Sequence, residues 1–126
     1  MSASGALAVA AGAALGALVR WAAGLWLNAR WPGIPLGTLL VNCAGGLLIG
    51  ACMVLFVRWP NDAARLFLVT GFLGGMTTFS AFSAESLGLL QRGALALALL
   101  HTLAHVLGAL ACAVLGFALA RLWLRA

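Results

Sequence analysis

Residues 70–83 read Thr-Gly-Phe-Leu-Gly-Gly-Met-Thr-Thr-Phe-Ser-Ala-Phe-Ser, and this stretch lies in the middle of a long apolar segment. Glycine weakens a helix, and a threonine can cap the N-terminus of a new one. The stretch therefore predicts a helix that is broken at Thr77 or Thr78, in the middle of a membrane span. The freed carbonyls must be satisfied by protein, water or a cation. A continuous helix that kinks at its glycines is the alternative.

Three further apolar segments accompany this one, and the four occupy about 3–27, 36–57, 64–91 and 94–123. A transmembrane helix needs about 20 residues, so each segment is long enough to span a bilayer. Short connections that contain Pro32, Pro35, Pro60 or Gly93 separate them. We therefore expect an all-α membrane protein in which residues 1–126 form one domain of four transmembrane helices.

The composition excludes an ordinary soluble domain. Hydrophobic residues make up 65% of the chain and charged residues 7%, against roughly 45–50% and about 25% in soluble proteins. The net charge of +5 comes from single arginines that mostly flank apolar segments, where they suit lipid headgroups better than a nucleic acid. The four spans leave no room for a soluble catalytic domain, so we expect a protein that is not an enzyme.

The arginines give the chain almost no preferred orientation. With four spans, both termini and the second loop lie on the same side of the membrane. That side carries Arg58, Arg65, Arg121 and Arg125, and the other carries Arg30, Arg92 and, if it lies near that end, Arg20. A bias of four positive charges against three hardly decides orientation. The count raises the hypothesis of dual topology, with two inverted copies paired about a two-fold axis in the membrane plane.

Polar residues inside a span are costly and therefore candidates for function. Thr38 and Asn42 are four residues apart, so they share a face of the second helix. The Asn42 amide carries two donors and an acceptor that lipid cannot satisfy. A hydrogen bond between helices is the alternative explanation for this residue.

Beyond the expected break, Phe79 and Phe82 are three residues apart and face the same way, with Ser80 and Ser83 beside them. Aromatic rings have a negative face and a positive edge. Ring edges that alternate with amide and hydroxyl donors would suit a small, partly dehydrated anion. Ordinary packing of two phenylalanines in a core is the alternative.

Four ionisable residues also lie within the apolar segments. Glu85 lies late in the third segment, in a wet vestibule or at the interface. Arg20 could extend to the headgroups or raise the local concentration of anions at a pore mouth. His101 and His105 are one turn apart, but no carboxylate or thiol is expected beside them to complete a metal site. We expect them to pack in the bundle or to form a polar pore wall.

Two motifs resemble the CrcB/Fluc family of fluoride channels. Residues 37–46 read Gly-Thr-Leu-Leu-Val-Asn-Cys-Ala-Gly-Gly, and the second motif extends the stretch 70–83 by Ala84 and Glu85. The resemblance covers nearly the whole chain. It implies an antiparallel homodimer in the bacterial inner membrane that confers fluoride resistance by exporting cytoplasmic fluoride passively through two pores.

The same resemblance implies roles for single residues in the pore. Asn42 would be the pore-lining amide from one subunit. Phe79 and Phe82 would be edge-on rings that the pore receives across the dimer interface. The polar track beside them would consist of Thr38, Ser80 and Ser83.

The resemblance also implies a cation site and a vestibule. Backbone carbonyls of Gly74 and Thr77 from both subunits would hold a central structural sodium ion, and Arg20 would line the vestibule. The chain departs from the family at Ala81, where threonine is frequent. It departs again at His105, on a helix face that often carries small polar groups. Both departures bear on conductance and pH dependence.

Two other classes of function remain open on the sequence. A proton-coupled exporter of cationic drugs would need a carboxylate within the membrane. The first two segments contain no acid, and Glu85 lies late in the third. A structural or assembly subunit, in which polar residues only lock helices together, is the other alternative.

Overall fold

The computed structural model describes residues 2–31 and 33–125, and the regular secondary structure of this part of the chain is helical. A short 3₁₀ turn, Asn28–Arg30, follows the first helix. The helices are α1 (Ala3–Leu27), α2 (Leu36–Arg58), α3 (residues 62–76), α4 (Phe79–Gln91) and α5 (Leu95–Trp123).

Four of the described segments are long and apolar enough to cross a membrane: Ala3–Arg30, Leu36–Arg58, Asp62–Gln91 and Leu95–Trp123. The expected number of spans is therefore confirmed. Large apolar side chains cover the outside of the bundle, and Leu7, Trp26 and Val57 are 70%, 74% and 82% exposed. Such a surface suits the hydrocarbon core of a bilayer.

The third span is broken, as its glycines and threonines predict. Helix α3 ends at Met76, and α4 begins at Phe79. Between them, Thr77 (φ −81°, ψ 155°) and Thr78 (φ −152°, ψ 117°) are extended. Thr78 Oγ1 accepts a hydrogen bond from the backbone N–H of Ala81 at 3.1 Å and so caps α4. The alternative of a continuous, kinked helix is wrong.

Helix α3 has an irregularity that the sequence does not indicate. It starts as a single α-helical turn, Asp62–Arg65, widens to a π-helix over Leu66–Leu73 and ends with the turn Gly74–Met76. Helix propensities do not distinguish the backbone hydrogen bonds of a π-helix, between residues i and i+5, from those of an α-helix, between residues i and i+4. π-Helical turns are rare and are frequent at functional sites. Here the wide turns lead directly into the break.

Glycines allow two pairs of helices to pack closely. A Cβ on Gly12 or Gly16 of α1 would collide with backbone atoms of Phe72 in α3. A Cβ on Gly46 or Gly50 of α2 would collide with carbonyls of α5. The pair α1–α3 and the pair α2–α5 therefore pack backbone against backbone. The polar residues described below join one pair to the other at the break.

Candidate functional site

Asn42 of α2 binds the backbone of the broken span through its side-chain amide. Its Oδ1 accepts the backbone N–H of Thr78 at 2.8 Å, and its Nδ2 donates to the Thr78 carbonyl at 3.1 Å. The same Nδ2 lies 3.1 Å from Nδ1 of His105. A backbone N–H can only donate and a carbonyl can only accept, so Thr78 fixes the orientation of the amide. Both N–H donors of Asn42 are thus used within the chain. The hydrogen bond between helices, the alternative explanation for this residue, is present, and a role in lining a pore stays a prediction.

The break frees backbone carbonyls and the chain satisfies only some of them. Nε of Arg20 in α1 donates to the Gly75 carbonyl at 3.2 Å, and Asn42 binds the carbonyl of Thr78. Within residues 2–31 and 33–125, neither the Gly74 nor the Thr77 carbonyl receives a hydrogen bond. Gly74 is exposed on the surface of the bundle. Two unpaired carbonyls on a membrane-spanning surface require a partner from outside the chain.

The two phenylalanines share a face, as their spacing predicts. Their ring centroids are 5.4 Å apart, and Phe79 is 79% exposed. The Phe82 ring stacks on His101, with centroids 5.4 Å apart and planes 11° apart, and its centroid lies 5.0 Å from that of His105. Phe82 therefore packs against two imidazoles, and Phe79 extends from the bundle. Neither belongs to the apolar core around Val41 and Leu73.

The predicted polar track separates into two groups. Ser80 and Ser83 are exposed beside the break, where Ser80 Oγ lies 3.2 Å from Thr78 Oγ1 and Ser83 Oγ donates to the Phe79 carbonyl. Thr38 is buried at a different place, and its Oγ1 donates to Oε1 of Glu85 at 2.6 Å. Thr38 therefore does not contact the two serines in this structure.

Glu85 lies inside the bundle and completes a polar cluster with the histidines. Its Oε2 lies 3.2 Å from Nε2 of His101, whose Nδ1 lies 3.0 Å from Ser86 Oγ. His101 is fully buried, and the Glu85 side chain is only 18% exposed. The expectation that no carboxylate stands beside the histidines is wrong. Glu85 and His101 are equidistant from the turn at Gly93, so the antiparallel pairing of α4 and α5 brings them together.

Glu85, His101 and His105 each offer an atom that could bind a metal, and these atoms lie within 4.8 Å of one another. Two imidazoles and a carboxylate form a donor set that zinc accepts. A metal on Nε2 of His105 would put the imidazole proton on Nδ1, opposite an N–H of Asn42. Thr78 holds that amide in place, so two N–H donors would face each other. This conflict opposes metal binding here.

Two cavities meet at Thr78. The first, which we call the break groove, has a volume of about 300 Å³ and includes Asn42, Thr78, Phe79, Phe82 and His105 among its lining residues. The second, the Arg20 cleft, has a volume of about 250 Å³ and is lined in part by Arg20, Thr38, Thr78 and Glu85. The structure thus brings Asn42 together with both phenylalanines. It places Arg20 with Thr38 and Glu85 on the other side of the break.

Comparison with known proteins gives a consistent result. Residues 7–117 match the family model described as "CrcB-like protein, Camphor Resistance (CrcB)". A protein of Bordetella petrii named "Fluoride-specific ion channel FluC" is 56% identical over 116 residues, which cover 89% of this chain and 88% of that protein. Proteins of the same name from Chromohalobacter salexigens and Aromatoleum aromaticum are 53% and 51% identical. Those alignments cover 89% and 93% of this chain and 86% and 91% of the relatives.

Proposed function

The chain belongs to the CrcB family, and on that premise we propose that it is a fluoride-selective channel through which cytoplasmic fluoride leaves the cell passively. It is a multi-pass bacterial membrane protein with four spans. The observation that carries the proposal is the identity of about half of its residues, over nearly the whole chain, to proteins named as fluoride-specific ion channels. The geometry of the break groove supports it.

The break groove has the chemistry that a small, strongly hydrated anion needs. A selective pore replaces the water around an ion with several fixed groups, and binding must stay weak enough for the ion to leave. The groove combines the rings of Phe79 and Phe82 with the imidazole of His105 and contains no full positive charge among its lining residues. Arg20, on the other side of the break, can raise the local concentration of anions. The negative interior of a cell then drives export, by about 2.3 kcal/mol per charge for each 100 mV.

A second copy of the chain is part of this proposal, as an antiparallel homodimer with two pores. Gly74 is exposed before the break, and Phe79, Ser80 and Ser83 are exposed after it. Lipid cannot satisfy the free carbonyls at the break, whereas a partner subunit can. Dual topology rests on the weak charge bias. Because Arg20 contacts Gly75 in the middle of the third span, the arginines near the two membrane surfaces number four on one side and two on the other.

A structural sodium ion between the subunits is the third element of the proposal. The carbonyls of Gly74 and Thr77 have no donor in the described chain, and carbonyls freed by a broken helix are typical ligands of sodium in membrane proteins. The residues therefore fit the ion. A bound cation would neutralise the partial negative charge of these carbonyls where the two copies meet.

Proton-coupled transport is a second candidate function, and one observation favours it. The Glu85–His101 pair lies within two membrane spans, with Thr38 and Ser86 as further partners. Carboxylates and imidazoles in such positions form the proton relays of pumps and transporters. A channel and a proton-coupled transporter differ in what drives the fluoride, and this difference can be measured.

The direct experiment for the channel is fluoride efflux from liposomes that contain the purified protein. A potassium gradient with valinomycin sets the voltage, and an electrode follows the released fluoride. We expect rapid efflux of fluoride and almost none of chloride. Chloride efflux at a comparable rate, or no fluoride efflux from protein shown to be reconstituted, would contradict the proposal.

A further inference from the structure

The tautomer of His105 follows from the hydrogen bonds between Asn42 and Thr78. Thr78 fixes the Asn42 amide so that Nδ2, a donor, faces Nδ1 of His105 at 3.1 Å. Nδ1 must therefore accept this hydrogen bond. A neutral imidazole has one donor and one acceptor, so the proton of His105 resides on Nε2.

This N–H group is buried and has no partner. His105 is 4% exposed, and within residues 2–31 and 33–125 no atom forms a hydrogen bond with its Nε2. A buried donor without an acceptor is costly, and native structures contain few of them. The neighbouring rings of Phe82 and His101 provide no acceptor oxygen for it. A ring nitrogen of His105 lies within 4.8 Å of a Glu85 carboxylate oxygen, but that carboxylate forms its hydrogen bonds with Thr38 and His101.

His105 also lines the break groove together with Phe79 and Phe82. We propose that its Nε2–H donates a hydrogen bond to the anion in that groove, and that His105 is an ion-coordinating residue of this chain. The inference rests on the proposed function, since it takes fluoride as the anion. Asn42 then supports the site without binding the ion, because it holds the break and sets the tautomer in which Nε2 of His105 carries the proton.

A neutral imidazole suits this task. A hydrogen bond to an ion is roughly twice as strong as one between neutral groups, so one N–H can replace part of the hydration of fluoride. The group adds no net charge, so it does not hold the anion so tightly that conduction stops. The ring edges beside it are electropositive as well.

Two substitutions distinguish the effect of the N–H donor from the effect of the side-chain volume. His105→Met fills a similar volume with an unbranched apolar side chain but removes both ring nitrogens, and with them the N–H. His105→Gln places an amide donor near the position of Nε2. We expect fluoride efflux of His105→Met to fall about tenfold or more, the change expected from loss of a hydrogen bond to a charged group. We expect His105→Gln to stay within roughly threefold of the unmodified protein. Unchanged efflux of a folded His105→Met protein would overturn the inference.

A spectroscopic readout covers the case in which both variants lose activity through misfolding. The unmodified protein is labelled with ¹⁵N-histidine, reconstituted in lipid and titrated with sodium fluoride or sodium chloride, and His101→Gln assigns the signals. We expect fluoride alone to shift the Nε2–H resonance of His105 and to show ¹⁹F coupling to it. No response to fluoride would overturn the inference. Absence of efflux from the unmodified protein would instead refute the proposed function, and the titration would still decide whether His105 binds the anion.

Discussion

At the scale of the residue, the contacts of Asn42 give it two tasks. It binds both backbone groups of Thr78 and donates to His105. Asn42→Asp keeps the acceptor for the Thr78 N–H but removes the donors for the Thr78 carbonyl and for His105. We expect conduction to stop and the unfolding free energy to fall by roughly 2–4 kcal/mol. Liposome efflux and denaturation in detergent measure the two effects.

Thr102→Val is the matched control for that substitution. In the described part of the chain, the Thr102 side chain bonds only to the Ala98 carbonyl in its own helix, so we expect a loss of about 1 kcal/mol or less and normal efflux. If Asn42→Asp conducted like this control, the amide of Asn42 would not be needed to hold the break or to conduct the ion.

The aromatic pair gives a second prediction at this scale. Phe79→Ile and Phe82→Ile keep most of the apolar bulk but remove the ring edges. Phe79 is largely exposed and Phe82 packs on both imidazoles. We expect a small loss of stability at Phe79, about 1–2 kcal/mol at Phe82, and sharply lower fluoride efflux for both variants.

Phe72→Ile is the control for the aromatic pair, because Phe72 lies before the break and packs against the apolar core around Val41 and Leu73. We expect its efflux to change little. Equal and mild effects at all three positions would mean that the rings are ordinary packing and that the ion passes elsewhere.

Residues close in sequence were predictable, and residues joined by tertiary packing were not. Spacing predicted the common face of Phe79 and Phe82, and the threonine pair after the glycines predicted a helix cap at Thr77 or Thr78, which the structure places at Thr78. The contact of Glu85 with His101 depends on the pairing of two helices, which local periodicity does not contain. Their equal distance from Gly93 is the signal that could have found it.

At the scale of the element, the break in the third span is the feature that organises the site. Glycines weaken the helix, and Thr78 starts a new one. The break was predictable because it follows from local chemistry. The π-helix over Leu66–Leu73 was not, because helix propensities do not distinguish a π-helix from an α-helix.

The free carbonyls at the break predict dependence on sodium. We expect the purified dimer to dissociate at a lower temperature when sodium is replaced by N-methylglucamine, because a ligand bound only by the assembled state stabilises that state. Gel filtration after heating measures the dimer fraction, and constant ionic strength keeps charge screening the same. Equal stability in both cations would refute a sodium ion bound at Gly74 and Thr77.

At the scale of the whole molecule, the weak charge bias predicts sensitivity to added lysines. Pro60→Lys in the second loop and Ala63→Lys in the first turn of α3 add two charges at exposed positions and leave the capping side chain of Asn61 intact. We expect this variant to insert in one orientation and to lose fluoride resistance in cells.

Co-expression of an oppositely biased copy should restore that resistance. Ala29→Lys and Gln91→Lys, combined with Arg58→Gln and Arg125→Gln, change the balance from four against two to two against four, and all four positions are exposed. Site-specific labelling from each side of the membrane verifies the orientations. A variant fixed in one orientation that remained fully active alone would refute the antiparallel dimer.

The central claim is that fluoride passes through the molecule passively, and the reversal potential of its current tests this most directly. The protein is placed in a planar bilayer with a tenfold fluoride gradient at equal pH, and then with equal fluoride and a pH gradient. A passive, fluoride-selective channel predicts a reversal potential of about 59 mV in the first case and zero in the second. A reversal potential that followed the pH gradient would contradict the channel and favour proton-coupled transport, for which the Glu85–His101 pair is the candidate relay.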